Sequence, residues 1–267
     1  MTDDYAGGPY LLNVTATMSG WDKPQEKLRQ AFTNNEFVLY TQPIIKIGKG
    51  AEKRGHFEVF VRLQEEEKHQ LQPGSFLPML EHYCLCPTLD RYVVRKLLAH
   101  LRSLKPEQRS VAHLNLCNAT LADPDFCDFV TAEIYATELL PELLCFEIPG
   151  RETNYPASAV ALAENLKEIG CQISIGAMED GEIPFGPLKE LGANYLKLGS
   201  RLVNEIAVSE AVAAAVKTAA QACRSFDVQT IAQYVEDVPT LNALRRAEVG
   251  FAQGYGIGRP APLEPSD

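Results

Sequence analysis

No basic tract appears anywhere in this sequence, and the balance of charge runs the other way. There are 25 Lys and Arg against 35 Asp and Glu, a formal charge of -10 and a pI near 5.1. A chain without clustered cations cannot use counterion release to hold a polyanion, so no nucleic acid polymer is expected as a partner. A phosphorylated small molecule stays open, because local cations can hold it on an acidic protein. No uninterrupted apolar run is long enough to cross a bilayer, and Met1 to Gly8 is too polar and acidic for a secretory leader. The seven cysteines (Cys84, Cys86, Cys117, Cys127, Cys145, Cys171 and Cys223) are odd in number and scattered through apolar runs. That pattern suits reduced thiols in a cytoplasm better than a disulfide framework. Cys84 and Cys86 have no companion pair at zinc spacing, and the five histidines form no metal or triad signature.

What the sequence has is apolar substance and a strong alternation. Its 267 residues are 46% hydrophobic, enough for one large α/β domain or two small ones. The organising stretch is Phe57-Glu58-Val59-Phe60-Val61-Arg62-Leu63, in which the alternation of Val59 and Val61 with Glu58, Phe60 and Arg62 is that of a strand. A carboxylate and a guanidinium in a buried strand are costly unless they meet a partner, a metal or a ligand. An edge strand with both charges solvated is the bland alternative.

Residues 1–22 read as a flexible leader or linker remnant, and residues 23–264 as a barrel domain. Lys23 to Thr33 is helical, and Phe37 to Ile47 is a strand whose Pro43 marks a bulge or an end. A turn at Gly48 to Lys53 makes an antiparallel hairpin with the Phe57 strand. Helices are expected over Pro73–Tyr83, Leu89–Leu104, Asp123–Thr137, Ala157–Ile169, Val208–Phe226 and Val238–Ala247, with a short helical piece ending at Leu188–Leu191. Strands are expected over Val111–Leu116, Leu143–Ile148, Gln172–Ile175, Tyr195–Leu198, Val228–Ala232 and Gly250–Tyr255. Eight strands at βαβ spacing close most simply as a (β/α)8 barrel, with functional groups at the C-terminal strand ends. Polar residues stand inside or at the end of these apolar runs: Glu58 with Arg62, Asn115, Glu147, Lys197, Gln233 and Gln253.

These landmarks, in this order, resemble the EAL domain family from about Lys27 to Pro262. Tyr40-Thr41-Gln42-Pro43-Ile44 is similar to the family's Tyr-Gln-Pro-Ile strand. Glu58-Val59-Phe60-Val61-Arg62 stands where Glu-Ala-Leu-Leu-Arg is usual. Asn115-Leu116, ahead of Leu121-Ala122-Asp123-Pro124-Asp125-Phe126, resembles the Asn-Leu-Ser segment. Phe146-Glu147-Ile148 resembles Leu-Glu-Ile-Thr, and Leu196-Lys197-Leu198 resembles Leu-Lys-Ile-Asp. Ile231-Ala232-Gln233-Tyr234-Val235-Glu236 resembles Val-Ala-Glu-Gly-Val-Glu, and Gln253-Gly254-Tyr255 with Arg259-Pro260 resembles the closing Gln-Gly-Tyr and Arg-Pro. The resemblance implies a modified TIM barrel, α/β in class, with an antiparallel first strand. It also implies a family activity, hydrolysis of cyclic di-GMP by two metal ions.

The departures fall on the chemistry. Where the family has Asp-Asp-Phe-Gly, this chain reads Gly176-Ala177-Met178-Glu179-Asp180-Gly181. Gly199 replaces the aspartate of Lys-Ile-Asp, Gln233 the glutamate that serves as general base, and Pro149 a threonine. Two-metal hydrolysis needs clustered oxygen ligands, which glycine and alanine cannot supply. Glu58, Asn115 and Glu147 are remnant ligands, and an amide at Gln233 takes no proton from water. No metal and no catalytic residue is therefore expected, although Lys197 and Gln233 occupy family catalytic positions. Mg or Mn would matter only for residual activity, with Glu179 or Asp180 as a substitute ligand.

By the same resemblance, Gln42 would meet a guanine edge and Arg62 a phosphate, with Phe60 packing on a base. The expected contact set is Gln42, Glu58, Phe60, Arg62, Asn115, Glu147, Lys197, Glu236 and Gln253. Three readings stay open. The first is a catalytically inactive EAL domain that binds cyclic di-GMP and signals to a protein partner, similar to FimX-like receptors. The second is a nucleotide-independent interaction module, in which Lys197 pairs with Glu147 or Glu58 for structure alone and the altered loop from Gly176 to Pro187 shapes a partner surface. The third is a weak phosphodiesterase. The family often dimerises through helices near that loop, so its alteration here puts the family's dimer in doubt, and a homodimer is left open.

Overall fold

The computed structural model describes residues 21–66, 69–150, 155–179 and 183–263, with the backbone alone at 65, 66, 69 and 70. The expected leader, apart from Trp21 and Asp22, lies outside the described residues, as does Asp180. Helix α1 (Pro24–Thr33) precedes β1 (Phe37–Lys46), β2 (His56–Glu66) and a short β3 (His69–Leu71). Helices α2 (Pro73–His82) and α3 (Cys86–Ser103) lead to β4 (Val111–Asn115). Alternation then carries the chain through α4 (Phe126–Thr137), β5 (Leu144–Ile148), α5 (Ala157–Glu168), β6 (Gln172–Met178), α6 (Phe185–Glu190) and β7 (Tyr195–Leu198). It ends with α7 (Ser200–Glu205), α8 (Glu210–Ser225), β8 (Gln229–Ala232), α9 (Val238–Arg246), β9 (Phe251–Ala252) and β10 (Ala261–Pro262).

Strands β2, β4, β5, β6, β7, β8 and β9 pair in parallel, in that order. The β1–β2 connection is too short for a crossover helix, so β1 runs antiparallel to β2. On its other side β1 is antiparallel to β9, which closes an eight-stranded barrel; β3 and β10 pair onto β2 and β1 at its edges.

Side-chain alternation sorts each strand into two environments. Ala112, Leu114, Leu144, Phe146, Leu196 and Leu198 pack outward in the large core beneath the helices. Val111, Cys145, Tyr195 and Phe251 turn inward and meet Ile44 and Ile231 in a separate apolar cluster inside the barrel. His56 and His113 share that floor, with His56 Nδ1 3.2 Å from His113 Nε2. Burial pushes both imidazoles below their usual range, and the nearby Lys197 charge adds to the effect at His113. Further along the same inward faces come Asn115, Glu147, Lys197 and Gln253, so the alternation delivers all four to one rim.

Several boundaries differ from the expected ones for local reasons. Helix α4 starts at Phe126 rather than Asp123, because Asp123 is spent on Arg91 (Nη1 to Oδ2, 2.5 Å) and on the Asp125 amide. Helix α8 starts at Glu210, where Ser209 caps it by accepting from the Val212 amide. The last barrel strand is only Phe251–Ala252, and just beyond it Gly254 lies so close to the Val235 backbone that a Cβ would sit 2.7 Å from the Val235 carbonyl carbon. Strands β3 and β10 and helix α7 were not anticipated. Strand β6 runs three residues past Ile175, and that extension changes the site.

Candidate functional site

A cleft of about 870 Å³ opens at the C-terminal ends of the barrel strands. Gln42, Glu58, Phe60, Arg62, Asn115 and Glu147 line it, and Gln233, Glu236 and Gln253 line its other wall. Lys197 lies fully buried beneath. The nine expected contact residues therefore gather at one end of the barrel.

Glu58 is the hub of the cleft floor. Its Oε1 accepts from Asn115 Nδ2 at 2.8 Å, and its Oε2 accepts from Gln253 Nε2 at 2.8 Å. The Lys197 ammonium lies 2.9 Å from Glu58 Oε2 and also contacts Glu147 Oε2. Gln253 Nε2 reaches Gln42 Oε1 at 3.0 Å, and Gln42 Nε2 donates to the Gly258 carbonyl at 2.8 Å. Burial alone would push the Glu58 carboxyl up, but the Lys197 charge and the donors from Asn115, Lys197 and Gln253 hold it below its ordinary value. At Glu147 burial wins. Its carboxyl is pushed up, with Glu58 repulsion adding and Lys197 opposing. Burial works against the Lys197 charge as well, yet the Glu147 and Glu58 carboxylates carry the ammonium above its ordinary value. A buried ammonium thus sits between the two carboxylates of the cleft floor.

The opposite lip is arranged differently. The Arg62 guanidinium lies 5.6 Å from the Tyr40 ring and 5.9 Å from the Phe60 ring, and its Nη1 donates to the Val61 carbonyl at 2.9 Å. Among the described residues no carboxylate pairs with it. Tyr255, stacked under the Arg259 guanidinium at 4.7 Å, also lines the cleft. Tyr234 lines it too, more than half exposed and at a φ of 59°. Left-handed backbone is uncommon for a bulky residue. The sequence held that signal, since Tyr234 stands where the family motif has glycine, but the side chain's place at the mouth was not anticipated. Asp90, a buried carboxyl in the cleft wall, was also missed; its Oδ2 accepts from the Cys117 amide at 2.9 Å and from Thr120 Oγ1 at 2.6 Å.

The residues that replace the family's metal ligands do not fit a two-metal centre. Gly176 and Ala177 are part of strand β6, which bulges after Ile175 and pairs Met178 with Leu198. A Cβ on Gly176 would lie 3.3 Å from Glu147 Oε1. The Gly199 position is filled from outside, because a Cβ there would overlap the Glu179 carboxylate, with Oε2 2.6 Å away. That same Oε2 accepts from the Arg201 amide at 3.0 Å, so Glu179 is engaged with the start of α7. Among the described residues no group of three His, Cys, Asp or Glu side chains is placed to hold a metal ion. Gln233 borders the cleft with an amide, which takes no proton near neutral pH.

Comparison with known proteins agrees with this architecture. The chain is 30% identical over 242 residues to the cyclic di-GMP phosphodiesterase PdeB of Shewanella oneidensis and 26% identical over 242 residues to PdeF of Escherichia coli, covering 89% of this chain in each case. It spans only about a third of those relatives' length, 28% and 32%. Among solved structures, the FimX EAL domain of Pseudomonas aeruginosa bound to c-di-GMP superposes with a TM-score of 0.82 at 25% identity, over 89% of this chain and 96% of that one. The MucR phosphodiesterase in complex with c-di-GMP superposes with a TM-score of 0.78 at 25% identity, over 90% and 98%. Residues 25–260 match the EAL domain family from end to end of the barrel. With the antiparallel first strand and the rim of strand-end residues in place, this chain belongs to the EAL domain family.

Proposed function

We propose that this EAL domain is a cytoplasmic receptor that binds cyclic di-GMP without hydrolysing it and passes its occupancy to a protein partner. The observation that carries the reading is the contrast within one cleft: a guanidinium at Arg62 with no carboxylate partner among the described residues, beside positions 176, 177 and 199 that carry no side-chain oxygen. Arg62 is oriented by the Tyr40 and Phe60 rings and can fork onto phosphate oxygens in a way that lysine cannot. Phe60, Tyr234 and Tyr255 offer flat faces for the two bases, and the carboxylate of Glu236 offers a partner for a guanine edge; Gln42 and Gln253, already bonded to each other, would have to exchange those bonds to join it. Glu58, Asn115, Glu147 and Lys197 hold the floor beneath. Two relatives that share 25% of their residues with this chain have been solved with c-di-GMP.

No cofactor is required in this reading. Hydrolysis would need oxygen ligands for a metal-activated water and a proton acceptor, and the chain offers Gly176, Ala177 and Gly199 at the ligand positions and Gln233 at the acceptor's. Calorimetry with cyclic di-GMP in chelator is the test: saturable one-site binding is expected, and its absence would leave the nucleotide-independent interaction module. Product analysis with added Mg or Mn is the companion measurement. Linear dinucleotide formed in proportion to pure protein would instead make the chain a phosphodiesterase, the activity named for its curated relatives.

A further inference from the structure

We propose that the cation side of this cleft is closed by its backbone, through an interlocked pair of glycines, Gly150 and Gly176, and not merely by the loss of side-chain ligands. Gly150 follows β5, and Gly176 lies in the extension of β6. A Cβ on Gly176 would sit 2.8 Å from the Gly150 amide nitrogen, and one on Gly150 would meet the Gly176 carbonyl carbon at 2.8 Å. Both obstacles are main chain, which cannot swing aside as a side chain can. Neither glycine has the positive φ that would itself demand glycine, so space and not conformation selects them. The extension is held on its other side as well, by the Met178–Leu198 pairing and by the Gly199 amide donating to the Met178 carbonyl at 2.8 Å.

Gly199 provides an internal contrast. The obstacle to a side chain there is the exposed end of Glu179, a flexible group that can rotate away at the cost of its hydrogen bond from the Arg201 amide. Position 199 is therefore softly blocked and position 176 rigidly blocked. It follows that returning aspartates to positions 176, 177 and 199 does not rebuild a metal centre, because the strand that would carry the first of them has no room for it. This deepens the reading of a metal-free cleft, but its test needs no nucleotide and so fails or survives independently of cyclic di-GMP binding.

The experiment is urea unfolding of the full chain as Gly150→Ala, Gly176→Ala and Gly199→Ala, with Mn2+ titration followed by electron paramagnetic resonance. Gly150→Ala and Gly176→Ala are each expected to lower the folding equilibrium constant by about tenfold or more, against less than about threefold for Gly199→Ala. The variant carrying Gly176→Asp, Ala177→Asp and Gly199→Asp is expected to bind Mn2+ no more tightly than the native chain. Should it fail to fold, the single variants keep the test open: Gly176→Asp is expected to lower the folding equilibrium constant at least about tenfold more than Gly199→Asp. A Gly176→Ala protein as stable as the native chain would overturn the proposal, and so would Mn2+ binding at two sites in the folded triple-aspartate variant.

Discussion

The two flanks of the cleft have diverged in opposite ways. Along β1 and β2 the outer side chains stay open: Arg62 is free of carboxylates among the described residues, with the Tyr40 and Phe60 rings 5.6 and 5.9 Å away, while Gln42, Glu58 and Gln253 lower on β1, β2 and β9 are bonded to one another. Along β5, β6 and β7 every group is committed inward. Lys197 is clasped by Glu58 and Glu147, β6 presses on Gly150, and Glu179 covers Gly199. In the proposed reading a barrel mouth keeps the binding half of its chemistry without the hydrolytic half, because each strand end is positioned by its own neighbours. The strand-end rule for barrels predicts where chemistry gathers, and local packing decides which part of it survives.

The largest expected effect breaks the closed flank. Lys197→Met leaves Glu58 and Glu147 buried without their cation, and a loss of about 3–5 kcal/mol in unfolding free energy is expected by urea denaturation. A loss under about 1 kcal/mol would mean that the floor is solvated and the two flanks are less different than their contacts imply. On the open flank, Arg62→Ala is expected to weaken cyclic di-GMP binding by about 1.5–3 kcal/mol, the worth of a charge-assisted hydrogen bond, while leaving stability within about 0.5 kcal/mol. Unchanged affinity in calorimetry would remove Arg62 from the site.

A third prediction concerns the wall between the flanks. Burial raises Asp90 to about 6, against the pull of Thr120 and Cys117. Its folded state therefore binds a proton more tightly than its unfolded state does. The stability this contributes is present in full below the ordinary carboxyl range and is lost as pH rises through about 6. The native chain should lose up to about 1.4 kcal/mol per pH unit from this group over that window, and Asp90→Asn should flatten the slope in urea titrations at stepped pH. The smallest effect expected is none: millimolar Mg2+ should change cyclic di-GMP affinity by less than about twofold, since no metal-holding group stands on the closed flank among the described residues. A larger enhancement would reopen that flank.

Much of this was legible before any coordinates. The alternation of β2, β4, β5 and β7 fixed which residues face inward, and with it the gathering of Glu58, Asn115, Glu147, Lys197 and Gln253. The replacements at Gly176, Ala177, Gly199 and Gln233 could be read one by one. What escaped was non-local. Gly176-Ala177-Met178 has no strand character of its own and becomes strand because Leu198 is available to pair with Met178. Glu179 reads as a spare ligand until the register of β6 against β7 sets its carboxylate over Gly199. Tyr234 was visible as a letter at a glycine position, but its φ of 59° and its place at the mouth depend on the chain around Gln253 and Gly254.

The amino-acid sequence by itself determined the barrel, its antiparallel opening strand and the identity of the polar rim, because period-two alternation and βαβ spacing are properties of short windows. Only the tertiary structure decided which rim residues are free and which are spent. Whether Glu58 meets a metal, a lysine or an amide, and whether position 176 has room for a side chain, depends on distances between strands far apart in the chain.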